Sequence, residues 1–146
     1  MNEKKASVEL LNFIHQNASM GQDTIEHLLN VVEDESFRKV LQSFFAEYKK
    51  IYNGTDSMIH EYGGEVEEIN KMAKISSYMM INMKTLTDKS SSHIAEMLIN
   101  GSTMGIIDLE KRLKQCGESD PEVQRLGKDL LEFEQQSIDR LKGYLR

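Results

Sequence analysis

Met20-Gly21 and Met104-Gly105 decide how this chain folds. Each pair lies within a long series of apolar residues spaced three and four apart, and each puts glycine where a core side chain belongs. The first series is Leu11, Ile14, Ala18, Gly21, Ile25, Leu28 and Val32; the second is Ile94, Leu98, Gly101, Gly105, Leu109 and Leu113. Such spacing gathers the residues onto one stripe of an α-helix. A displacement of 84 residues carries Met20-Gly21 onto Met104-Gly105, Ile25 onto Leu109, Glu26 onto Glu110 and Leu29 onto Leu113. The chain therefore reads as two related helical hairpins.

Outward from the first pair, a helix is expected over residues 4–32. Asp34 has the side chain of an N-cap, and a second helix follows with Phe37, Leu41, Phe44, Tyr48, Ile51, Thr55, Met58 and Tyr62 on its stripe. Asn53-Gly54 is a weak or bent point in that helix, because the apolar phase runs across it without a slip. Gly63-Gly64 ends it as a left-handed cap. An acidic connection over residues 65–70 leads to a short Met-rich helix over residues 71–86, stopped by Thr87-Asp88-Lys89-Ser90-Ser91-Ser92, whose oxygens can cap the next helix. That third helix spans residues 91–115. Asp120-Pro121-Glu122 opens a fourth, with the cap, the first-turn proline and the first-turn acid in order. Its apolar residues are Val123, Leu126, Leu130, Phe133, Ile138, Leu141 and Leu145, with Ser137 among them. Short loops make each helix pair an antiparallel hairpin, and the long link is free to cross the bundle. The expected fold is an all-α antiparallel four-helix bundle in a single domain, residues 1–146, with hairpins over 4–63 and 91–145 and a crossover over 64–90.

Composition narrows the function. Charged residues make up 29% and hydrophobic ones 39% of the chain, which suits a globular protein with a sizeable core. The net charge of −6, with no basic patch, argues against nucleic acid as a partner. No apolar run has the length of a membrane span or the form of a signal peptide. The single cysteine, Cys116, fits a reducing cytoplasm. Lys114 is a neighbour that lowers a thiol pKa, but with no second Cys and no His paired to it the residue reads as structural. Phosphate-binding loops, dinucleotide fingerprints, nucleophile elbows and zinc-binding pairs are all missing from the sequence.

Two hairpins related by repetition and joined by a long crossover resemble the ferritin-like superfamily, and within it a group of bacterial ferritin-like bundles of unknown function. The resemblance covers residues 8–145. It is carried by Tyr78-Met79-Met80-Ile81-Asn82-Met83-Lys84 in the crossover, by the acidic hairpin starts at Asp34 and Asp120, and by the glycine-bearing third helix. It implies a metal site among the helices, built from one Glu on the first helix of each hairpin and a Glu-x-x-His on the second. Counted outward from the hairpin loops, those positions hold Gly21 and Gly105 in place of carboxylates. The Glu-x-x-His positions read Glu47-Tyr48-Lys49-Lys50 and Glu134-Gln135-Gln136-Ser137, so Lys50 and Ser137 stand where histidines belong. None of His15, His27, His60 and His93 falls on a ligand position.

The expectation is thus a degenerate di-iron site marked by Gly21, Tyr48, Gly105, Glu134 and Ser137, with no resident cofactor. Glu134 faces either inward, accepting a hydrogen bond from the Tyr48 hydroxyl, or outward to solvent beside Glu132. A non-enzymatic structural or interaction protein is the leading reading. Its partner is a second copy, forming a homodimer, or another protein. Met72, Tyr78, Met79, Met80 and Met83 of the crossover are the candidate interface, since methionine makes adaptable apolar surface. Two alternatives stay open. One is an iron- or manganese-binding protein with an altered ligand set. The other is a small-molecule binder using a cavity beside the two glycines, because Gly101 and Gly105 form a small-x-x-x-small stripe that serves close packing, a dimer seam or a ligand slot equally well.

Overall fold

The computed structural model describes residues 2–67 and 87–146. The candidate interface residues Met72, Tyr78, Met79, Met80 and Met83, and the short helix expected around them, lie outside the described residues. Four helices form the bundle: α1 (Glu3–Leu29), α2 (Glu35–Glu61), α3 (Ser91–Gln115) and α4 (Pro121–Lys142).

Local chemistry sets the helix ends. The side chains of Asn2, Asp34, Ser90 and Asp120 each accept a hydrogen bond from a backbone N–H of the first turn, and Pro121 supplies the preset φ of a first helical residue. At the end of α2, Gly63 takes φ +73°; its N–H donates to His60 O at 3.0 Å and the Gly64 N–H to Ile59 O at 2.9 Å. This is the two-bond left-handed cap that favours glycine. α1 stops at Leu29, three residues earlier than its apolar pattern. There Arg38 reaches back to donate to the carbonyls of Leu29 and Val32, bracketing the turn at Asn30 and Val31. α4 likewise ends at Lys142, and Leu145, expected in the core, is exposed.

Contacts between the helices fix their directions. α1 runs parallel to α4: the Ser7 hydroxyl accepts from Asp120 N, and a Cβ placed at Gly127 would touch Ile14 as well as Leu113. α1 runs antiparallel to α3, because Arg112 pairs with Glu9 at 3.3 Å while Asn17 lies near Gly105. α2 runs antiparallel to α4, from Ser36–Tyr144 through Ser43–Arg140 to Tyr48–Phe133. The order is up-down-down-up. α2 and α3 point the same way.

α1 is the most buried helix and carries polar side chains into the interior: Ser7, Asn12, His15 and Asn17 are all buried. Asn12 clamps the start of the crossover, donating from Nδ2 to Glu65 O at 3.0 Å and accepting Glu67 N–H at 2.8 Å. Buried polar groups are tolerated when hydrogen-bonded in this way. The core stripe of α4 is Val123, Gly127, Leu130, Glu134, Ser137 and Leu141. This corrects the apolar count, which favoured Leu126, Phe133 and Ile138; Leu126 and Phe133 are half-buried flanks packed against the core.

α2 continues unbroken through Asn53-Gly54, and a Cβ at exposed Gly54 would meet nothing within 4 Å. Glycine there only widens the unfolded ensemble. Gly54→Ala is therefore expected to raise stability by roughly 0.5–1 kcal/mol, read as a higher midpoint in urea with an unchanged slope.

Candidate functional site

The two glycines that mark the repeat face partners of different kinds. In the first hairpin the Tyr48 ring lies against Gly21: a Cβ at Gly21 would sit 2.7 Å from three of its ring carbons. In the second, a Cβ at Gly105 would sit 2.9 Å from Glu134 Oε2 and 3.7 Å from Asn17 Nδ2. A side chain on Gly21 would collide with an aromatic ring, and one on Gly105 with a carboxyl. The space that first-helix carboxylates would need is filled from the second helix of each hairpin.

Tyr48 is buried and meets Phe133 edge-on, with ring centroids 5.1 Å apart; Phe133 also meets Phe44 edge-on at 6.0 Å. These aromatic contacts tie α2 to α4. Glu134 points inward and is only 2% exposed. Among the described residues no hydrogen bond joins it to the Tyr48 hydroxyl, and its Oε2 has no hydrogen-bond partner. The expected Tyr48–Glu134 bond is not formed; Oε2 instead lies in the space that a side chain at Gly105 would take. Burial pushes the Glu134 carboxyl up to about 8, and the Asn17 amide, which pulls the other way, does not overcome it. Burial also raises Tyr48 well above the ordinary phenol range, with the nearby Glu134 charge adding to the effect. At neutral pH the pair is largely a neutral acid beside a neutral phenol. Ser137 is buried one turn further on but turns its hydroxyl to the Phe133 carbonyl at 2.8 Å, away from any shared centre.

A cleft of about 380 Å³ opens between α1 and α3 beside this level. Phe13, Gln16, Asn17 and Met20 line it from α1, and Gly101, Ser102, Gly105, Asp108, Lys111, Arg112 and Gln115 from α3; Tyr48 and Glu134 close its base. Gly101 and Gly105 contribute no side chain to its α3 wall. Arg112 at the rim is committed elsewhere: it pairs with Glu9 and stacks over the Phe13 ring at 4.8 Å.

The residues at this level do not fit a di-iron centre. Glu134 is the one carboxylate that Gly21, Tyr48, Gly105, Glu134 and Ser137 offer. Among the described residues no group of three His, Cys, Asp or Glu side chains is placed to share a metal. His15 is buried in a different role. Its Nδ1 lies 2.9 Å from the Thr55 hydroxyl, and its ring stacks on Tyr52 with centroids 4.2 Å apart. The Thr55 hydroxyl also lies 2.9 Å from Ile51 O, and the direction of the His15–Thr55 bond follows the imidazole tautomer. The sequence reading missed this pair. The available signal was that His15 and Thr55 have nearly the same number sum as Gly21 and Tyr48, which is the rule for residues facing across an antiparallel hairpin. Cys116 is wholly buried, and burial raises its thiol pKa, with Glu9 adding to the rise and Arg112 opposing it. The lowering expected from Lys114 is not found.

Fold and site together define an all-α bundle of two hairpins, with polar groups inside it and a cleft along its first helix. The chain belongs to the family described as Domain of unknown function (DUF2383), whose model matches residues 6–115. It is also similar to a crystal structure of a DUF305 fragment from Deinococcus radiodurans. That likeness has a TM-score of 0.76 at 12% identity and covers 98% of this chain and 97% of that one; it is a likeness of fold. A comparison with curated proteins gives no match. Among the described residues no helix is long and apolar enough to cross a membrane.

Proposed function

We propose that this protein is a non-enzymatic member of the ferritin-like superfamily in which the di-iron level has been rebuilt as packing, leaving a structural or protein-interaction module. The observation that carries the reading is the reciprocal fit at the two glycines: Tyr48 seated on Gly21 and Glu134 seated on Gly105. Losing the two first-helix carboxylates and two histidines while a tyrosine ring and a neutral acid fill the space is what conversion of a metal site to packing requires. The up-down-down-up order of the four described helices supports the superfamily. Self-association as a dimer in a reducing cytoplasm belongs to the same proposal, the unpaired Cys116 being at home there.

Elemental analysis is the direct test. Protein produced in medium replete in iron and manganese is expected to carry either metal only at substoichiometric levels, and Glu134→Gln is expected to leave the trace unchanged. One equivalent of iron or manganese per chain, lost on Glu134→Gln, would establish the alternative, a metal protein with an altered ligand set.

A further inference from the structure

We propose that the cleft between α1 and α3 binds a small organic ammonium ion, a primary amine on a compact apolar body, with its nitrogen against the Glu134 carboxyl. This goes beyond a packing role for the level. Three observations carry it. The cleft, at about 380 Å³, lies in the range of small-molecule pockets. Its base is a carboxyl that is 2% exposed and has one oxygen, Oε2, without a partner. A buried polar atom left unsatisfied calls for a complement. The terminal torsion of a glutamate is soft, so the carboxyl turns toward the cleft at little cost.

The arrangement of charge selects the sign of the ligand. At the base, α1 presents the Asn17 amide, α2 the Tyr48 ring and hydroxyl, and α4 Glu134 itself; none is cationic. The cations are on α3 toward the rim. Arg112 is held by Glu9 and by the Phe13 ring, and exposed Lys111 stands with Asp108 on the same wall. Once Glu134 is ionised, a carboxylate or phosphate reaching the base would meet its charge with no cation beside it. An ammonium group meets a carboxylate, which pairs with organic cations through charge-assisted hydrogen bonds. The protein's net charge of −6 draws cations toward it.

Binding is linked to a proton. Glu134 titrates near 8 when the cleft is empty, so an ammonium ion entering at lower pH expels the carboxyl proton to solvent. Affinity accordingly rises with pH and levels off once the free protein is ionised. Tyr48 stays protonated throughout, because burial and the nearby Glu134 charge hold it well above the ordinary phenol range.

Phenethylamine and hexylamine are the probes, with phenylpropanoate as the anion of matching shape. In amide NMR titrations of the full chain, at least one amine is expected to shift the Gly101 and Gly105 signals saturably, more tightly as pH rises toward about 8, while phenylpropanoate does not. Glu134→Gln is expected to weaken amine binding roughly ten- to a hundredfold, the loss of one hydrogen bond to a charged group. Ser102→Trp, which fills the cleft from its half-buried wall, is expected to abolish it. Failure of both amines to give a saturable shift at Gly101 and Gly105, binding of phenylpropanoate with equal strength, or amine affinity unchanged in Glu134→Gln would each overturn the proposal. None of these outcomes depends on the metal content of the protein.

Discussion

Glu134→Gln stabilises the protein near pH 8 and changes it little near pH 5. In the native state the carboxyl is 2% exposed and its pKa is pushed up to about 8; in the unfolded chain it returns to the ordinary value of about 4.5. A raised native pKa means that the native state holds its proton more tightly than the unfolded state does. Between the two values the unfolded chain loses the proton and the native state keeps it, so the wild type loses stability as pH climbs. The contribution is fully present below about pH 4.5 and gone above about pH 8. Glutamine keeps the shape and is neutral everywhere, so it escapes the loss. Each pH unit between the native and unfolded values is worth about 1.4 kcal/mol, so the advantage of Glu134→Gln over wild type near pH 8 is on the order of 3 kcal/mol after allowing for local relaxation. That corresponds to roughly 6–12 °C in Tm for a domain of this size. Denaturation of both proteins at several pH values reads it directly, and the difference between the curves isolates Glu134 from every other acid. Equal stability near pH 8 would show that the carboxyl is solvated in the native protein.

How much of the fold and the site is legible in the sequence depends on whether the signal is local. The caps at Asp34, Ser90 and Asp120, the left-handed stop at Gly63, and the four helices come from side chains acting within a turn of themselves, and they fall where the sequence puts them. The pairing of Gly21 with Tyr48 and of Gly105 with the Glu134 level is also accessible, since hairpin loops of fixed length set which residues face each other. The core stripe of α4 is not. Leu126, Phe133 and Ile138 are more apolar than Gly127 and Glu134, so hydrophobicity alone shifts the stripe by one residue. The real phase depends on α3 approaching so closely that a Cβ at Gly127 would fall 2.6 Å from Leu113 Cδ2. The Asn12 clamp and the His15–Thr55 pair depend on partners some forty to fifty residues away, and no local pattern announces them. The cleft depends on the distance between α1 and α3, which apolar spacing does not determine.

Tyr48→Ala is expected to cost roughly 3–5 kcal/mol, the range for removing a buried aromatic side chain, because it opens a hole bounded by Gly21 and Phe133. The informative experiment adds bulk from the other side. Gly21→Met in the wild-type background drives a side chain into the Tyr48 ring, since even a Cβ would come within 2.7 Å of it. Overpacking of that kind costs about 1–3 kcal/mol, partly offset by about 1 kcal/mol of helix propensity gained on leaving glycine. In the Tyr48→Ala background the same methionine enters the vacated space, and its unbranched chain adapts to an irregular gap. The double variant is therefore expected to be more stable than Tyr48→Ala alone, with a favourable coupling energy of about 1–3 kcal/mol in a cycle of urea denaturation measurements. Gly54→Met, exposed on α2 with open space around it, is the control: it gains propensity in both backgrounds and couples to neither. Additive effects at Gly21 and Tyr48 would mean that the glycine does not exist to seat the ring. Coupling at Gly21 and none at Gly54 would show that the first half of the repeat is held by an exchange of volume between helices. At Gly105 the corresponding space is filled by a carboxyl instead, and that difference gives the bundle a chemically distinct second half.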